Sequence, residues 1–283
     1  MQYRTNNMSR VFISKRALIV YIIIILFVVQ SCKRMEEYQI LKTPFSVIDK
    51  FGNSRNYRMY LPEKKVNRKV PLIVYFHGVM SKCFQKYAGL KNYTGSPVEE
   101  TGLIEFCKLN KIALLVPEPR YKYKFLNCMC TGWSPFDKET DGIEKMIDLV
   151  IEKYPIEKKK IFLAGLSAGA ALTFHLAHRR PHYYSAILSH SQGAKHKDLR
   201  YLKQIERGPK FGVLLAYTKG DYTNLIKICI ETERIYKAHN YKVVLLKDLP
   251  PKSHRWSKTS NDMFWDYLNK LGQYSVESFK KEG

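Results

Sequence analysis

The stretch Ile161-Phe162-Leu163-Ala164-Gly165-Leu166-Ser167-Ala168-Gly169 decides the fold. Its first four residues are a continuous apolar run. Its last five are G-x-S-x-G, and the Ala-rich segment 170–177 that follows is patterned as a helix. A buried strand that turns sharply through this pentapeptide into a helix lifts the serine hydroxyl above the C-terminal edge of a parallel sheet. The flanking glycines suit a turn too crowded for Cβ atoms. Ser167 therefore reads as a nucleophile, and a mere tight-packing turn is the weaker alternative.

The same punctuation runs along the chain. Segment 57–61 alternates as a strand. Apolar runs at 71–76, 112–116, 161–164, 186–189, 213–217 and 243–246 predict strands covered on both faces. Helical patterns at 97–109, 142–153, 168–177, 222–239 and 260–271 fall between them. This alternation predicts an α/β chain, with a mostly parallel central sheet and helices on both faces. With no internal repeat and no Pro/Gly-rich linker, 45–283 reads as one domain.

A serine nucleophile needs a base, an acid that orients the base, and donors for an oxyanion. In a sheet of this type the chain order is serine, acid, histidine. Of the eight histidines, His254 alone follows the last predicted strand, in the loop Pro250-Pro251-Lys252-Ser253-His254-Arg255-Trp256. His77 and the histidines on the helix after Ser167 come too early, as do His190 and His196, which precede the acid. For the acid, Asp221 closes the strand 213–217, and Asp248 is the competitor. Ala168 N–H is the first oxyanion donor. The loop His77-Gly78-Val79 supplies the second, with Val79 N–H preferred to Met80. Trp133 and Trp256 lie in loops near the expected mouth, where a planar acyl group or sugar ring would stack, unless they serve packing. No metal or organic cofactor is expected. Cys128 and Cys130 form a bare C-x-C without the second pair or histidines of a zinc site, and a bond from either to Cys83 is left open.

Residues 1–31 carry Arg4, Arg10, Lys15 and Arg16, no acid, and an apolar run over 17–29. Thirteen residues are too few for the roughly 17–25 that span a bilayer, and the pattern is that of a secretory signal. An uncleaved N-terminal anchor is the alternative. Either reading puts the remainder outside the inner membrane. Residues 32–44 read as a surface tether.

The 283 residues carry 48 Lys+Arg against 25 Asp+Glu, a net charge of +23, with 45% hydrophobic and 13% aromatic content. That composition excludes a disordered polymer. The charge could favour anionic lipid or acidic polysaccharide, although plain Lys-rich usage accounts for it. No motif for reading nucleic acid is present.

Two resemblances follow. Val29-Gln30-Ser31-Cys32 resembles a bacterial lipobox, which implies lipidation of Cys32 and a lipid-anchored envelope protein. The second is carried by Pro71-Leu-Ile-Val-Tyr-Phe-His-Gly78, Leu114-Leu-Val-Pro-Glu118, Cys130-Thr-Gly-Trp133, Asp141-Gly-Ile-Glu144, the Ser167 pentapeptide and Ser253-His-Arg-Trp256. Over 45–271 these resemble the α/β-hydrolase fold, and within it the secreted feruloyl esterases and polyhydroxybutyrate depolymerase-like esterases. The family usually reads L-H-G-C, G-x-S-x-G-G and G-H-x-W where this chain has Phe-His-Gly-Val, a final Ala170 and Ser-His-Arg-Trp. The resemblance implies a serine esterase with Ser167, Asp221 and His254 as triad, acting on feruloyl or acetyl esters of polysaccharides or similar extracellular esters. A silent hydrolase scaffold serving as a binding protein, and a small prolyl-oligopeptidase-like peptidase, are the alternatives.

Overall fold

A computed structural model describes residues 38–62, 68–80, 95–120, 122–125, 128–133, 136–194, 203 and 205–278. Residues 1–31, read above as a signal, and Cys32 and Cys83 lie outside the described residues. The chain divides into two compact units, Met1–Gln39 and Ile40–Gly283. Apart from the first two residues of its first strand, everything below belongs to the second unit.

In chain order the strands begin with β1 (Tyr38–Ile48), β2 (Ser54–Pro62), β3 (Val70–Phe76), β4 (Ala113–Pro117) and β5 (Lys122–Phe125). They continue with β6 (Cys128–Thr131), β7 (Ile156–Leu166), β8 (Ala186–His190), β9 (Gly212–Thr218) and β10 (Val243–Leu249). The helices are α1 (Val98–Thr101), α2 (Leu103–Asn110), α3 (Phe136–Lys153), α4 (Ala168–Arg179), α5 (Thr223–Ala238) and α6 (Thr259–Ser278). Eight strands form one sheet in the order β1-β2-β4-β3-β7-β8-β9-β10, and β5 and β6 form a separate hairpin. From β4 to β10 all pairings in the large sheet are parallel, whereas β2 runs antiparallel to β4. This is the mixed, mostly parallel sheet that the apolar runs predict.

Those runs match burial. Every residue of β4, β8 and β9 is buried, as a strand covered on both faces must be. β10 differs: Val244 is 40% exposed because this strand is the edge of the sheet. β7 begins earlier than predicted, since the exposed residues Lys158, Lys159 and Lys160 belong to it. The helix expected over 97–109 is split in two by Gly102, whose φ of 70° cannot continue a right-handed helix. The tether reading of 32–44 needs correction, because β1 takes up its last seven residues.

Register aligns the strand ends. Phe76 pairs with Gly165, Leu166 with His190, His190 with Ala216, and Thr218 with Leu249. The loops after β3, β7, β8, β9 and β10 thus leave one C-terminal edge together.

Among the described residues, Arg55 of β2 and Glu139 of α3 form an ion pair with both side chains fully buried. Arg120 N–H donates to the other Glu139 oxygen at 3.3 Å. Gly142 makes room for the guanidinium stem: a Cβ there would lie 2.9 Å from Arg55 Cγ. Removing one partner strands the other charge in the core. Glu139→Ala should lower stability by about 3–5 kcal/mol, read as a lower urea midpoint at unchanged slope. An Arg55→Met, Glu139→Leu double variant should cost clearly less.

Candidate active site

Ser167 sits between β7 and α4 with φ 54° and ψ −116°, outside the regions an L-residue prefers. Such strain costs about 1–3 kcal/mol and persists only where the surroundings enforce it. The enforcement is visible. Ser167 N–H donates to His190 O at 2.9 Å, and Ser167 O accepts from Ala171 N–H at 3.0 Å. A Cβ on Gly165 would lie 2.5 Å from the Gly169 carbonyl carbon, and one on Gly169 would lie 2.2 Å from Phe76 O. Both glycines are therefore required by backbone passing against backbone.

That contact brings the start of α4 against the loop leaving β3. In this loop Gly78 N–H donates to Gly95 O at 2.8 Å, and Met80 N–H to Thr131 O at 2.9 Å. Val79 N–H, between them, has no acceptor among the described residues, which separates it from Met80. Ala168 opens α4, and the first N–H groups of a helix lack an intrahelical acceptor.

On the opposite flank, His254 Nδ1–H donates to Asp221 Oδ1 at 2.6 Å, and Tyr222 N–H donates to the same oxygen at 2.9 Å. Two bonds lace the loops that carry these groups: Thr218 Oγ1 to Ser253 O at 2.6 Å, and Lys219 N–H to Leu249 O at 3.0 Å. Gly220 completes the fit, because a Cβ there would meet the Lys252 carbonyl carbon at 2.3 Å. Burial disfavours the Asp221 charge, but the bond from His254, the His254 charge and the Ser191 hydroxyl outweigh it and hold the carboxyl below its usual range. Asp248, the competing acid, is exposed at a register slip in β10, and its φ is 53°.

The two tryptophans are corrected. Trp133 is 1% exposed; its Nε1–H donates to His77 O at 2.7 Å and its ring meets Phe76 edge-on. Trp256 is 3% exposed. Its backbone N–H donates to Ser96 Oγ and its Nε1–H to Asn261 Oδ1. Its ring stacks on His190 and meets Tyr75 edge-on. Packing takes up nearly all of both rings, and only an edge of Trp256 reaches a cleft. Trp133 pins the end of β3, and Trp256 pins the loop that carries His254. A cleft of about 510 Å³ beside that loop is lined by Ser96, Glu100, Pro250, Pro251, Arg255, Trp256, Lys258 and Thr259 but not by Ser167 or Asp221.

Sequence reasoning missed His190. Its carbonyl holds Ser167 N–H, and its Nε2 accepts from Ser257 N–H at 3.1 Å, so one residue ties the serine turn to the histidine loop. Chain order discounted it, yet its place at the end of a fully buried strand was a usable signal.

A mostly parallel sheet with a strained serine at its C-terminal edge and a buried Asp–His pair two loops away defines an α/β-hydrolase. The Esterase family model matches residues 48–197, over half of the 283, and the chain belongs to that family. A Phospholipase/Carboxylesterase family model matches 133–271. No curated protein matches the chain in sequence. Among solved structures it is similar to a thermostable esterase (17% identity, TM-score 0.56), covering 82% of this chain and only 62% of that one. A ferulic acid esterase (11%, TM-score 0.51) is covered over 97% of its length by 83% of this chain. An S-formylglutathione hydrolase from Staphylococcus aureus (12%, TM-score 0.56) is covered over 98% by 83%. At these identities the likeness establishes the fold.

Trp133→Phe keeps the ring contact with Phe76 and removes the donor to His77 O. Leaving that buried carbonyl unpaired should cost about 1–3 kcal/mol in urea denaturation. Any loss of activity should be equal for planar and small acyl groups.

Proposed function

We propose that this protein is a serine carboxylesterase. Ser167 attacks the ester carbonyl, His254 takes its proton, and Asp221 holds the imidazole tautomer and steadies the imidazolium. Val79 and Ala168 N–H groups receive the oxyanion. His254 then protonates the departing alcohol, and water enters by the same route in reverse to release the acid. The observation that carries this reading is the 2.6 Å bond between His254 and a buried Asp221, formed at the sheet edge where Ser167 is held in a strained turn.

Feruloyl or acetyl esters of polysaccharides are the proposed substrates. The resemblance to feruloyl esterases and the similarity to a solved ferulic acid esterase support this choice. The buried tryptophans contribute nothing to it. The basic N-terminal segment, the apolar run 17–29 and Cys32 support a lipid-anchored protein of the cell envelope.

A fluorophosphonate probe should label wild-type protein at Ser167. Ser167→Ala should abolish labelling and reduce kcat by roughly 10⁴–10⁶ in protein shown to be folded by circular dichroism. An unlabelled wild type would mean a silent scaffold. Asp221→Asn should lose most of the rate while Asp248→Asn stays near wild type.

Cys32→Ser, expressed from the full chain, should leave the membrane fraction with undiminished esterase activity. One acyl chain binds membranes only marginally, so firm anchoring calls for several. A variant that stays membrane-bound would mark 17–29 as an uncleaved anchor.

A further inference from the structure

Behind Asp221 lies a chain of hydrogen bonds whose directions can be worked out. Ser257 N–H donates to His190 Nε2 at 3.1 Å, so that nitrogen carries no proton. The ring proton is then on Nδ1, 2.8 Å from Ser191 Oγ. Ser191 Oγ accepts this bond, which leaves its own proton free to be donated. Asp221 Oδ1 is already occupied by His254 and Tyr222 N–H, whereas Oδ2 is buried without a hydrogen bond of good geometry, although the Ser191 hydroxyl is near enough to help hold the carboxyl below its usual range. Ser191 is itself buried and fixed, with φ 58° and its N–H bonded to Ala216 O at 2.7 Å.

We propose that Ser191, oriented by His190, is a positioning residue for Asp221: its hydroxyl donates to Oδ2 as charge develops on His254. The proposal rests on the triad reading above. Hydrogen bonds that are loose in a resting site tighten when the reaction builds charge. The donor has two effects. It locks the carboxylate plane so that Oδ1 faces Nδ1 of His254, and it draws off negative charge that would hold the imidazolium too tightly.

Burial pushes His190 down to about 3, so the ring stays neutral and keeps its tautomer. The titratable groups around Asp221 are His254, His190, Tyr222 and Cys229. Burial and the Asp221 charge raise Tyr222, and the same two causes bring the Cys229 thiol up to about 12. Neither ionises in acid.

The test is Ser191→Gly, which removes the hydroxyl and accepts the positive φ without strain. Its kcat on an aryl acetate should fall about tenfold with KM unchanged. The acid limb of kcat/KM should move to higher pH by about half a unit or more, because a carboxylate without that donor holds the imidazolium more firmly. Wild-type kinetics, or a lower kcat with the limb unmoved, would overturn the positioning role. Ser167→Ala is measured alongside: activity surviving there overturns the esterase reading, and a dead Ser167→Ala beside a wild-type-like Ser191→Gly overturns only this inference. Nitrogen-15 shifts of His190 in unmodified protein test the chain without any variant. The Nδ1–H tautomer is expected throughout the acid limb, and an Nε2–H tautomer would overturn it.

Discussion

The N-terminus of α4 lies directly on the carbonyls that end β3. A methyl group at Gly169 would have to share space with Phe76 O, at 2.2 Å, and His77 O, at 2.6 Å. Real Cβ atoms do not come that close to backbone oxygens, so one hydrogen atom in place of a side chain sets the distance between the two segments. From that contact follow the strained φ at Ser167, the nearness of the helix start to the loop carrying Val79, and the need for Trp133. Its indole N–H occupies the His77 carbonyl that would otherwise be buried beside the helix with no donor.

The acid side of the site is governed by desolvation. Asp221 and His254 have side chains 0% and 4% exposed, so their attraction is screened by little water and their geometry is set by fixed partners. The same burial makes every polar atom nearby costly unless it is bonded. His190 answers that demand with three bonds: its carbonyl to the serine turn, Nε2 to Ser257, and Nδ1 to Ser191. Trp256 stacks on its ring. The residue next to the histidine loop thereby braces the strand that lies between Ser167 and Asp221 in the sheet.

The legible part of this architecture was whatever burial writes as a continuous apolar run. β3, β4, β8 and β9 read directly because both their faces are covered. The first half of β7 was hidden, since a strand that projects into solvent as Lys158-Lys159-Lys160 looks like a loop. The hairpin of β5 and β6 was hidden because four residues per strand show no period. Chain order led to Asp221 and His254, and the structure brings those two together. It passed over His190 because chain order was used only to choose the base: β8 runs between β7 and β9 in chain and sheet alike, so a histidine that comes too early to be the base ends up between the serine and the acid. The tryptophans were misjudged for a related reason. Whether an indole lines a mouth or fills a core depends on whether its N–H finds a buried acceptor, and His77 O and Asn261 Oδ1 are far away in sequence or unremarkable in type.

The register slip in β10 has a bearing on how copies of this chain meet. An open sheet edge presents a row of unpaired amides to any other strand, and bulges, charges and kinks are what blunt it. β10 is such an edge, with Val244 exposed on it. Between Leu246 and Leu249 its pairing loses step, Asp248 turns to a left-handed φ of 53°, and Lys247 and Asp248 face solvent. A second sheet approaching that edge would find a short regular stretch ending in a kink that carries charge. Crowded side by side, these molecules would be held apart by the same irregularity that lets the chain leave the sheet and form the histidine loop.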